Sequence, residues 1–187
     1  MFSFVKKDSK LIKLDALLPI VSRTDTKGNI KYVNHYFKEI TGYTDAELAG
    51  RPHNIIRHPD MPKIIFTLMW QRLQEDKDIL TIVKNKTKGG DYFWVTTSFK
   101  TTHSDATKHK NGYMSVAHAA PKNAIKEIEP LYEKLIEIEE KEGEAGSIKY
   151  LLDFFDANET SYDDYVKDIT TKNGIIDNLF NTRTYLK

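Results

Sequence analysis

The chain has 187 residues, with 28 Lys and Arg against 27 Asp and Glu and a formal net charge of +1. That balance leaves no electrostatic footprint for nucleic acid, and the length suits one domain with additions. The absence of cysteine excludes disulfides, thiolate metal sites and thiol catalysis. No apolar run approaches the ~20 residues needed to span a bilayer. The opening Met1-Phe2-Ser3-Phe4-Val5-Lys6-Lys7 puts its charges after the apolar patch, the wrong order for a secretion signal. A soluble cytoplasmic protein is expected.

Residues 1–18 read as a leader. Leu11, Ile12, Leu14, Leu17 and Leu18 have spacings compatible with an amphipathic helix, either a cap on the domain or a docking element. Pro19 to Thr24 begins a sheet, Thr26-Lys27-Gly28-Asn29 turns, and Ile30 to Val33 returns as a second strand. Asn34 can cap a helix through Tyr36, Phe37 and Ile40, with Gly42 closing it. Thr44 and Glu47 have capping-box spacing, so a short helix through Leu48 follows and stops at Gly50. Asp60 to Leu73 is expected to be helical, with Pro62 in the first turn and Ile65, Phe66, Met69, Trp70 and Leu73 on one face. Ile79–Lys86, Tyr92–Thr102 and Tyr113–Ala120 read as strands, the first two joined by a turn at Lys88-Gly89-Gly90-Asp91.

Pro121 to Glu142 has the stripe of an amphipathic helix, with Ile125, Ile128, Leu131, Tyr132 and Leu135. Pro130 should bend or divide it, and Gly143 to Gly146 should end it. Residues 147–187 carry three further apolar stripes, the last through Ile175, Ile176, Leu179 and Phe180. They read as a helical hairpin packed back on the domain or as a partner-binding arm.

The densest chemistry lies in Gly50 to Pro62. Pro52, Pro59 and Pro62 keep this span from being one helix. It nevertheless carries two imidazoles, a guanidinium and a carboxylate, which suits the wall of a pocket for a polar, planar ligand. Several pieces together resemble a PAS sensory domain of the aerotaxis-transducer type. These are Ile30-Lys31-Tyr32-Val33-Asn34, Thr41-Gly42-Tyr43-Thr44, Arg57-His58-Pro59-Asp60-Met61-Pro62 with Met69-Trp70, and Ile82-Val83-Lys84-Asn85. Gly90-Asp91-Tyr92 with Trp94-Val95, Gly112-Tyr113-Met114-Ser115 and Glu129-Pro130-Leu131-Tyr132 extend the likeness. The Arg57–Pro62 block is the specific part, and it resembles the flavin-binding subgroup.

The resemblance implies an α+β PAS fold: a five-stranded antiparallel sheet with helices on one face, plus flanking helical segments. The likeness covers roughly residues 19–135; with the apolar patterning on either side, the chain divides into a leader (1–18), a sensory domain (19–120), a linker helix (121–142) and a helical tail (143–187). The likeness implies a non-covalently held FAD and a part in redox or oxygen sensing for energy taxis. The sequence lacks a Gly-rich phosphate loop, a nucleophile elbow and a kinase signature, so no enzymatic activity is expected. Aerotaxis transducers carry a membrane anchor, a linker module and a signalling coiled coil on the same chain. None is legible here, so a separate membrane-associated chemoreceptor or other signalling protein is the expected partner. The resemblance also leaves room for a homodimer.

The candidate cofactor-binding residues are Asn34, His53, Arg57, His58, Asp60, Phe66, Trp70 and Asn85. Arg57 and His58 can donate to a phosphate. Asp60 can cap the following helix or pair with Arg57, holding the loop in shape. Asn85 both donates and accepts, so it can follow a ligand edge through a change of state, or bond a backbone group at a sheet irregularity. Asn34 is explained by capping alone or by ligand contact. Phe66 and Trp70 are core residues or a ring stack. The alternatives are a haem sensor using His53, His58 or His118, and a cofactor-free interaction module.

Overall fold

A computed structural model describes residues 9–171. The elements in chain order are β1 (Ile20–Thr24), β2 (Ile30–Val33), α1 (His35–Thr41), α2 (Asp45–Leu48), a 3-10 turn (His53–Ile56) and α3 (Lys63–Gln74). Then come β3 (Ile79–Lys86), β4 (Tyr92–His103), β5 (Lys110–Ala119), α4 (Lys122–Ala157) and α5 (Tyr162–Thr171). The strands form one antiparallel sheet in the order β2-β1-β5-β4-β3.

Local chemistry sets most of these boundaries. The Asp25 carboxylate accepts from the Lys27 and Asn29 N–H groups and shapes the first turn. Asn34 Oδ1 accepts from Phe37 N–H at 3.0 Å, and Gly42, at φ 75°, closes α1 with its N–H on Lys38 O. Both halves of the Thr44–Glu47 capping box are present. α3 begins at Lys63 rather than Asp60, with Pro62 at the cap position. The delay has a cause: Arg57 holds the Met61 carbonyl and the Met61 side chain is buried, so the chain is still turning there.

The pleat sorts the sheet into two faces. Register places Thr81 opposite Thr97, Asn85 opposite Phe93, Thr97 opposite Ala117 and Phe99 opposite Ser115, all on the face that meets α3. Lys84 pairs with Trp94 on the other face. α4 covers that second face: Tyr132 stacks near Trp94 at 6.3 Å and donates its hydroxyl to Ile82 O at 2.8 Å. Tyr132, Ile128 and Leu135 are fully buried there, each side chain contributing roughly 1.5–3 kcal/mol.

The leader is not helical where it is described. Lys10 O accepts from Tyr92 N–H, and Ile12 N–H donates to Tyr92 O, so this stretch runs extended beside β4. Asp15 then makes a tight turn, accepting from Leu17 N–H on its side chain and Leu18 N–H on its carbonyl. Among the five apolar residues read as a helical stripe only Leu14 is buried, and Leu17 is 79% exposed. An Asx turn ahead of Pro19 overrode the spacing.

Pro130 sits inside α4, and the non-helical backbone of this element falls instead at Gly143, with φ 73°. Beyond that kink the chain packs back. Phe154, Phe155, Tyr162 and Tyr165 form an aromatic cluster, and Tyr162 meets Thr81 hydroxyl to hydroxyl. Through residue 171 the tail is therefore a helical hairpin on the domain. The stripe of Ile175, Ile176, Leu179 and Phe180 lies outside the described residues. Among those described, no helix is long and apolar enough to cross a membrane.

Candidate functional site

The proline-rich segment is fastened on two sides. Ile30 N–H donates to Arg51 O and His53 N–H to Gly28 O, which ties it to the first hairpin. A backbone bridge joins Arg57 to Asn85, and His58 N–H reaches Lys84 O at 3.4 Å, which ties it to β3. His53, Asn54, Ile56 and Arg57 are thereby held against the sheet face that meets α3.

Between that face and α3 lies a cavity of about 90 Å³. Its walls are Val83 and Asn85 of β3, Thr97 and Phe99 of β4, Ser115 and Ala117 of β5, and Phe66, Met69 and Trp70 of α3. Ile20, Phe37, His53, Asn54, Ile56 and Arg57 complete it. A second space of about 50 Å³ shares His53, Met69, Trp70, Phe99 and Ser115 with the first.

Few polar groups meet these apolar walls. Arg57 Nη2 donates to Met61 O at 2.9 Å, and the guanidinium lies 4.1 Å from the Phe66 ring centroid. Burial lowers the Arg57 pKa and the Glu139 carboxylate raises it, yet a guanidinium stays charged. His53 Nε2 is 2.8 Å from Ser22 Oγ, which is 2.7 Å from Ser115 Oγ. Burial pushes the His53 imidazole down to about 4, so it is neutral at pH 7. Among the described residues no hydrogen bond joins the Asn85 side chain to protein, and β3 pairs with β4 at Asn85 without a shift of register.

The Ser22–His53 distance is that of a nucleophile and its base. Ser22, however, is buried in β1 and shares its hydroxyl with Ser115, and an imidazole at about 4 is a weak base. The arrangement suits holding a planar ring by its faces and one polar edge.

Five of the eight residues singled out from sequence line this cavity: His53, Arg57, Phe66, Trp70 and Asn85. Asn34, His58 and Asp60 do not. Asn34 is consumed by structure, accepting from Phe37 and Val21 N–H and donating to Pro19 O. His58 is buried in the turn, its Nδ1 accepting from Asp60 N–H and its ring 5.7 Å from Tyr92. Asp60 does not cap α3, whose cap position is Pro62. Its carboxylate meets Lys84 Nζ at 2.9 Å, while Glu139 of α4 accepts the first N–H groups of α3. His118 lies on the opposite sheet face, away from the cavity.

Residues 30–116 match a family model described as the PAS fold. The matched stretch has the PAS fold. Over 116 residues the chain is 40% identical to the aerotaxis receptor of Escherichia coli (strain K12), covering 62% of this chain and 22% of that protein. It is 28% identical over 88 residues to the bacterioopsin transcriptional activator of Halobacterium salinarum, covering 47% of this chain and 13% of that protein. The chain thus spans less than a quarter of either relative's length. Among solved structures, a light-oxygen-voltage domain described with a flavin analogue superposes with TM-score 0.52 at 19% identity, covering 62% of this chain and 86% of its own. The light-state structure of the blue-light photoreceptor Aureochrome1 LOV superposes with TM-score 0.51 at 16% identity, covering 59% and 87%. At such identities the likeness is one of fold.

Sequence reasoning missed part of the PAS cavity wall. Thr97, Phe99, Ser115 and Ala117 were readable only through the register that sets them on the Asn85 face. The Ser22–Ser115–His53 chain joins residues 93 and 31 positions apart, and no local pattern signals it.

Proposed function

We propose that this PAS domain is a cytoplasmic FAD-binding redox sensor for energy taxis, passing its state to a separate chemoreceptor-type signalling protein. The observation that carries the reading is the half-buried Asn85 amide without a protein partner, facing a cavity walled by Phe66 and Trp70 beside the charged Arg57. An amide offers a donor and an acceptor, the pairing that a flavin edge needs. The 40% identity to a protein named aerotaxis receptor supports the direction of the assignment.

The donor set fits FAD; the space does not fit a tricyclic ring until a wall of the cavity moves, since about 90 Å³ is well below the ~300 Å³ of a small ligand pocket. In this reading Asn85 and the His53–Ser22 pair meet the polar edge of the ring, while Phe66, Met69 and Trp70 exclude water. Arg57 turns its free donors to phosphate. His58 and Asp60 keep the turn in shape, Asp60 through Lys84. FAD, when bound, supplies a redox couple whose two states present different hydrogen-bonding edges.

The neighbour of Asn85 carries the change outward. Lys84, on the opposite face, joins Asp60 at 2.9 Å and Glu129 of α4 at 3.6 Å. A shift of β3 at Asn85 therefore moves a charge that α4 contacts. Hydrogen exchange compared between oxidised and chemically reduced FAD-loaded protein tests this. Protection should change within Pro121–Glu142. A change confined to cavity residues would leave α4 without a part in output.

A further inference from the structure

α3 is one wall of the cavity, and it is gripped from outside at both ends. At its start, the Glu139 carboxylate of α4 accepts from Lys63 N–H and from Ile64 N–H, each at 2.9 Å. In its last turn, Arg72 Nη1 donates to Asp163 of α5 at 2.7 Å. Phe66, Met69 and Trp70 lie between these grips and line the cavity.

The first grip solves a local problem. Pro62 occupies the cap position and makes no side-chain cap, so the leading N–H groups of α3 lack a nearby partner. They take one from 75 and 76 positions further along the chain. The positive end of the helix favours a carboxylate there. Ser147, beyond the Gly143 kink, donates to the same carboxylate at 3.3 Å. One side chain thus fastens α3 to both parts of α4. Asn123 Nδ2 on Ile169 O, at 3.2 Å, fastens the start of α4 to the end of α5.

We propose that the α4–α5 hairpin is a strap that holds α3 against the sheet and so controls access to the cavity. The strap deepens the flavin-sensor reading and takes from it that the cavity is a ligand site. For a ring to enter, a wall must give, and the wall that gives in this proposal is α3, moving outward. Such a movement either withdraws its N–H pair from Glu139 and Arg72 from Asp163, or carries the hairpin along. Cavity and hairpin cannot then change independently, and their coupling is reciprocal. Glu139 is the stronger grip, because its bonds are charge-assisted and satisfy orphan donors. Arg72 and Asp163 are 28% and 46% exposed, so that ion pair is weaker.

The test uses the full chain. Glu139→Gln keeps the side-chain length and turns one acceptor into a donor; Asp163→Asn loosens the other end. Amide exchange is first measured without ligand. In Glu139→Gln, exchange should rise about tenfold at Phe66–Trp70 and also along α4 beyond Gly143, and Asp163→Asn should raise the same segments by less. FAD is then titrated, and Glu139→Gln should bind it roughly threefold to tenfold tighter, since opening costs less. Should Glu139→Gln fail to fold, Asp163→Asn carries the same readouts. Faster exchange only at Lys63 and Ile64, with FAD affinity unchanged, would reduce Glu139 to a local cap and overturn the strap. Coupled exchange in a protein that binds no FAD would keep the strap and overturn the flavin reading.

Discussion

Replacing Gly28 and Gly50 separately by alanine distinguishes backbone strain from pressure on the cavity wall. Both have φ in the left-handed region, 81° and 70°, where a Cβ costs roughly 1–2 kcal/mol. Around Gly50 a Cβ meets nothing within 4 Å, so Gly50→Ala carries the φ cost alone. At Gly28 the new carbon would sit 3.1 Å from Trp70 Cη2 and 3.3 Å from Cζ2. Trp70 also meets Tyr113 edge-on at 5.2 Å and lines the cavity, so the indole has to give by a few tenths of an ångström within a packed wall. Overpacking of this kind adds about 1–3 kcal/mol. Urea unfolding should thus show Gly28→Ala as the less stable variant by that difference. The near-ultraviolet circular dichroism of the folded protein, which reports tryptophan packing, should change in Gly28→Ala and not in Gly50→Ala. Equal stability losses with identical near-ultraviolet spectra would refute the packing of Trp70 on the first hairpin turn.

Arg57→Ala should weaken FAD more than FMN in paired titrations, by the roughly 1.5–3 kcal/mol of a charged hydrogen bond; equal losses would place Arg57 away from the second phosphate. Trp70→Ala should cost about 3–5 kcal/mol of stability and also lower flavin retention, whereas Trp70→Phe should keep most of the stability and lose part of the affinity. Normal flavin binding by Trp70→Phe, with Trp70→Ala merely unfolded, would make Trp70 core alone. His53 titrates near 4 when folded and near 6.5 when unfolded, so the unfolded chain binds the extra proton between these values. The His53 contribution to stability is complete above about pH 6.5 and falls by up to about 3 kcal/mol as pH drops toward 4. His53→Gln should flatten that part of the stability–pH curve, and an unchanged slope would put the effect elsewhere.

The sheet and its short helices were legible because their signals are local. Asn34, Gly42 and the Thr44–Glu47 pair each act within a few residues, and each cap forms as its spacing implies. The Arg57–Pro62 block was legible as chemistry but not as geometry. It brings Arg57 to the cavity while turning His58 and Asp60 into the scaffold behind it. Alternation of period two would give faces, but only pairing across β3, β4 and β5 shows which residues share Asn85's. The leader failed for the converse reason. Its spacing was helical, yet a local Asx turn and pairing with Tyr92 satisfied the backbone better. Glu139 had no signal, since a carboxylate on an acidic helix reads as solvated until α3 is placed against it.

The most direct measurement is the absorbance spectrum of the gently purified full chain, followed by identification of what it releases on denaturation. A flavin spectrum with bands near the blue and near-ultraviolet, and release of FAD, is the expected result. A Soret band would replace FAD by haem. A colourless, folded protein that takes up no FAD on reconstitution would contradict the sensor reading and leave a PAS interaction module.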